Sequence, residues 1–64
     1  MKTFNLVINY VQGTCAMTYN VPQIVAKDLE QATVIAEHMV TKIVAGVTHT
    51  SLGSVNSVTD VPGL

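Results

Sequence analysis

Arginine and tryptophan are absent from this chain, and cysteine occurs once, at Cys15. Three lysines stand against four acids, for a formal net charge of −1. A nucleic-acid binder needs a basic stripe to displace counterions from phosphates, and none is present. A DNA mimic needs dense acidity, which is equally missing. One thiol forms no internal disulfide, so the chain does not read as a stapled secreted mini-protein. No apolar run approaches the roughly 18 residues of a membrane span. The N-terminus carries one Lys, but Phe4 to Val11 alternates where a signal peptide would show an apolar block. The sequence predicts a soluble, intracellular protein with no membrane contact.

What is present is β-branched and nearly neutral. Charged residues are 11% of the chain, against about 25% in ordinary soluble domains. The hydrophobic share is 48% and the mean hydropathy +0.43, which argues against disorder. With 64 residues there is room for one domain, spanning 1–64, and a chain this short buries only about 60% of its unfolded surface. Eleven Val, four Ile and eight Thr exceed what one small core requires. Val7, Val11, Val34 and Val44 are expected on uncovered faces. A contiguous apolar patch there would signal a partner or self-association.

Phe4, Leu6, Ile8 and Tyr10 alternate with Asn5, Val7, Asn9 and Val11, the period of a half-buried strand over about 3–11. Gln12-Gly13 supplies a tight turn. Cys15, Met17, Tyr19 and Val21 then alternate with Thr14, Ala16, Thr18 and Asn20, giving a second strand over about 14–21; Pro22, which cannot donate to a ladder, either closes it or sits at a sheet edge. Cys15, in the apolar row, reads as a small buried hydrophobe. Residues 23–27 read as a connection. Asp28 is a good N-cap with Gln31 at the reciprocal capping-box position. Leu29, Ala32, Ala36, Met39 and Ile43, widened by Ile35 and Val40, form an apolar stripe, so a helix is expected over about 28–45. Gly46 is its natural stop. A third strand is expected within 48–59, bulged at Gly53, followed by a tail over 60–64.

The order strand, strand, helix, strand predicts an α+β fold, a two-layer ββαβ sandwich. The helix must cover the hairpin's apolar face, and the third strand joins the same sheet beside the first. The opposite face, with Asn5, Val7, Asn9, Val11, Thr14, Ala16, Thr18 and Asn20, stays open. It is polar and almost uncharged, which suits water and also suits a partner.

Chemistry-bearing constellations are scarce. Glu30 and Glu37 lie two turns apart on one solvated helix face, unlike a catalytic carboxylate pair across a cleft. His38 and His49 are the only imidazoles, and no zinc spacing accompanies them. Nucleophile-elbow and phosphate-loop motifs are absent. The sequence therefore predicts no enzyme, no catalytic residue, no cofactor and no metal, and leaves binding by surface.

Thr18-Tyr19-Asn20-Val21-Pro22, followed by Ala26, Leu29, Ala32, Ala36 and Glu37, carries a resemblance. An aromatic residue and Val-Pro end a strand, and A-x-x-L-x-x-A-x-x-x-A-E opens the helix. With Ala45-Gly46 before the third strand, the segment from Phe4 to Val55 resembles the small early proteins by which T7-like podophages inhibit host bacterial RNA polymerase. That resemblance implies a phage protein in the host-cell cytoplasm that blocks transcription initiation. The implied partners are the jaw region of the largest polymerase subunit and the neighbouring sigma factor, with no direct contact to nucleic acid. The family grips polymerase with two arginines on its third strand. The matching positions here are about Ser51 and Gly53, so the scaffold pattern is shared and those contacts are not. Expected contact residues are Glu37, His38, Thr41, His49 and Ser51. Two other functions stay open: an inhibitor of a bacterial defence complex (anti-CRISPR type), and a small virion or self-assembling structural protein.

Overall fold

The computed structural model describes residues 1–61; the last three positions of the expected tail lie outside the described residues. Strand β1 (Lys2–Gln12) leads into β2 (Cys15–Ala26), helix α1 (Leu29–Ile43) and strand β3 (Val47–Asp60). The sheet order is β2-β1-β3, with both neighbours antiparallel to β1. The architecture is the expected α+β ββαβ sandwich: a three-stranded sheet with one amphipathic helix on one face. No helix among the described residues is long and apolar enough to cross a membrane.

Local chemistry sets each element. Gln12 pairs with Cys15, which leaves Gly13-Thr14 as a two-residue hairpin loop. Gly13 sits at φ +62°, the left-handed position such a turn needs first. Asp28 caps α1 by accepting from the Gln31 N–H at 2.8 Å. The Gln31 side chain reaches back as expected but accepts from the Lys27 N–H, one residue before the cap. Val44 ends the helix in extended backbone, and its N–H donates to the Val40 carbonyl at 2.9 Å. Gly46, at φ +75°, makes the turn beyond it and is not the helix terminator itself.

Strand β2 runs past Pro22. A bulge sets Pro22 and Gln23 against Asn5 alone, so Leu6 faces Val21 and Phe4 faces Ile24. Pro22 is tolerated because β2 is an edge strand. Gln23 takes φ +58°, and its N–H donates to Asn5 Oδ1 at 2.9 Å. Asn5 Nδ2 donates to Ser57 Oγ on the other side at 2.6 Å. One side chain thus ties both edge strands to the central one. Asn5→Ala is expected to cost about 1–2 kcal/mol, read as a lower urea midpoint at unchanged slope.

The core is Phe4, Leu6, Ile8 and Tyr10 from β1, Val21, Ile24 and Ala26 from β2, and Ala32, Ala36 and Val40 from α1. Fifteen helical residues span about 22 Å at 1.5 Å each, whereas the Cα trace is 43 Å long. The helix leaves the end of β2 and must reach the start of β3, so it crosses the sheet diagonally. Two corners of the helix-side face stay uncovered. Cys15 and Met17 occupy one, and Val55 and Val58 the other. Cys15 has the expected orientation but is exposed, which corrects its reading as a buried residue. The apolar stripe is likewise narrower than its sequence pattern. Ala32, Ala36 and Val40 are buried, while Leu29, Met39 and Ile43 remain partly exposed at the ends and flank of α1. Val44 is half-buried against the core, contrary to expectation.

Strand β3 holds three bulges, where Thr48, Gly53 and Asn56 are each one residue more than β1 can pair. The middle one has a steric reason. A Cβ on Gly53 would stand 2.8 Å from Asn9 Oδ1 and 3.0 Å from the Val7 carbonyl oxygen. Gly53→Ala must turn the Asn9 side chain and shift the β1 backbone. A loss of about 1–2 kcal/mol is expected, only partly recovered in the Gly53→Ala, Asn9→Ala double variant.

Candidate binding face

The register places Asn9 and Val11 of β1, Ala16 and Thr18 of β2, and His49 and Ser51 of β3 on the face away from the helix. Thr18, Asn9 and Ser51 form one cross-strand row; Ala16, Val11 and His49 form the next. Together they line an open concavity of about 680 Å³. His49 is the only ionisable side chain of these two rows, and its Nδ1 lies 3.2 Å from Thr48 Oγ1. Small hydroxyls, amides and methyls make up the rest. Such a surface offers shape and hydrogen bonds, with almost no long-range field.

The five residues expected to make contact divide between the two sides of the molecule. His49 and Ser51 lie in the concavity, whereas Glu37, His38 and Thr41 lie on α1. Glu37 is half-buried on the helix flank, where its Oε2 accepts from Thr50 Oγ1 at 2.6 Å. That bond pins the helix to the start of β3, which is a structural duty. Thr41 Oγ1 donates to the His38 carbonyl at 2.7 Å, a local helix bond. Asn9, Val11, Ala16 and Thr18 join the site through the strand alternation that already placed them on the open side. Their assembly with His49 and Ser51 depends on the β1–β3 register.

Among the described residues no three His, Cys, Asp or Glu side chains gather as a metal site would require. Comparison with protein-family models, curated proteins and solved structures finds no match for this chain.

Proposed function

We propose that the chain is a small phage protein that inhibits host bacterial RNA polymerase by covering a surface needed for initiation, using the open sheet face. The observation that carries this reading is the uncharged concavity between His49, Ser51, Ala16 and Thr18 on the open face of the sheet. The strand, strand, helix, strand order shared with the podophage inhibitors supports the target. The largest-subunit jaw region and the sigma factor are the surfaces it would occlude. The mechanism is steric: a standard interface takes about 800 Å² from each partner, and the described chain exposes 4150 Å².

The test is capture from a bacterial lysate together with run-off transcription by purified polymerase holoenzyme. Polymerase subunits should be retained, and transcript yield should fall as the protein is titrated. Capture of nuclease-complex subunits with normal transcription would replace this reading with the defence-complex one. With so few charges, affinity is expected to change by less than about tenfold when ionic strength rises from about 0.1 M to 1 M. A steep salt slope would contradict an apolar and hydrogen-bonded contact.

A further inference from the structure

We propose that the chain forms a two-fold dimer through the outer edge of β3, with Val55 on the axis. Sheet order leaves two edges free, those of β2 and β3. The β2 edge is guarded by Pro22, which lacks a donor, and by the bulge at Gln23. The β3 edge has no Lys, Arg, Glu or Pro from Val47 to Thr59. Along that stretch its three bulges are what interrupt the edge.

Two of those bulges have a symmetry that suits a second copy. Leu52, Val55 and Val58 all face the helix side, opposite Ile8, Leu6 and Phe4. An ideal strand would put them two residues apart; here the extra residues at Gly53 and Asn56 make both steps three. Thr50 and Asp60 share that face, opposite Tyr10 and Lys2. Counting outward from Val55, the helix-side positions therefore fall three and five residues away in both directions.

Antiparallel pairing about a two-fold axis at Val55 sets each residue against the one equally far on the other side. Val55 meets the partner's Val55, and Leu52 meets the partner's Val58. Thr50 meets the partner's Asp60. From Thr50 to Asp60 every helix-side residue finds a helix-side residue, and the bulged steps 53–54 and 56–57 lie against each other. A single bulge would have thrown the faces out of register. Val55 and Val58, 37% and 48% exposed at the corner the helix leaves bare, then continue the core across the junction. Among the described residues no ion pair is broken, and the one like-charge approach is that of the partner's Asp60 toward Glu37, whose carboxylate accepts from Thr50 at 2.6 Å. The product is a six-stranded sheet with both helices on one face and both concavities on the other.

Equilibrium sedimentation of the full chain tests this. The wild type should show twice the 6.8 kDa chain mass and drift toward the monomer over a roughly hundredfold dilution. Val55→Lys and Val55→Glu, each checked for wild-type far-UV circular dichroism, should be monomers, because like charges would face each other on the axis. Mixing the two should restore the dimer mass, which a folding defect could not do. In a Cys15→Ser background, Val55→Cys should oxidise to a disulfide dimer faster than Val25→Cys. A wild type that stays monomeric throughout, a dimer that survives Val55→Lys, no recovery on mixing, or equal oxidation of the two cysteines would each overturn the proposal.

Discussion

Ile8→Ala is expected to remove a large share of the stability of the fold. Ile8 is fully buried at the centre of β1, between Tyr19 and Leu52, with the helix above. Removing three carbons there costs about 2–5 kcal/mol, since the cavity cannot collapse between three paired strands. Domains have about 0.05–0.15 kcal/mol of stability per residue, so this chain has roughly 3–10 kcal/mol in all. A shift of about 4–8 °C per kcal/mol then lowers the melting temperature by roughly 10–40 °C. Val34→Ala, at a helix position 63% exposed, is the control. It loses little packing and gains helix propensity, so its stability should hold or rise by about 0.5 kcal/mol. Thermal circular dichroism reads both.

Ala36→Asp should abolish folding outright. Ala32, Ala36 and Val40 form the row by which α1 touches the sheet, and none is exposed to solvent. A carboxylate at position 36 would lose its water with no buried polar side chain nearby to meet it. An unpaired charge in such a place costs several kcal/mol, comparable to the whole stability. Ala36→Leu, which adds volume without charge, should cost about 1–3 kcal/mol by lifting the helix. Ala36→Asp is therefore expected to lack tertiary chemical-shift dispersion in NMR, and Ala36→Leu to keep it at a reduced melting temperature. A folded Ala36→Asp would mean that the helix does not sit on the sheet as described.

The sequence pattern revealed β1, the hairpin, the capped helix and the β2-β1-β3 neighbourhood. Each is written in a regular period or a residue with one strong conformational preference. The bulges were harder. The alternation in β2 is sound from Cys15 to Val21, but the extra residue at Pro22-Gln23 reverses parity. Ile24 and Ala26 therefore enter the core from what reads as a connection. In β3 only Gly53 marks its bulge by residue type; Thr48 and Asn56 do not. The exposure of Cys15 was hidden for another reason. Its side is set by alternation, but its cover depends on where a 22 Å helix ends when laid diagonally on a longer sheet. On the open sheet face, alternation gave Asn9, Val11, Ala16 and Thr18 their side. Only the long-range register brought His49 and Ser51 beside them.

The open sheet face and the outer helix surface can be separated by one paired measurement. Ala16→Arg puts a long cation into the concavity, and Thr41→Arg puts the same group on the exposed helix. Both sites are solvent-facing, so both variants should fold. Their dissociation constants for purified bacterial RNA polymerase holoenzyme, measured beside the wild type, test the assignment of contact to the sheet. Ala16→Arg should weaken binding by more than about tenfold, the equivalent of ~1.4 kcal/mol, while Thr41→Arg stays within about twofold. Loss at Thr41 with full binding at Ala16 would move the interface to the helix and contradict the account.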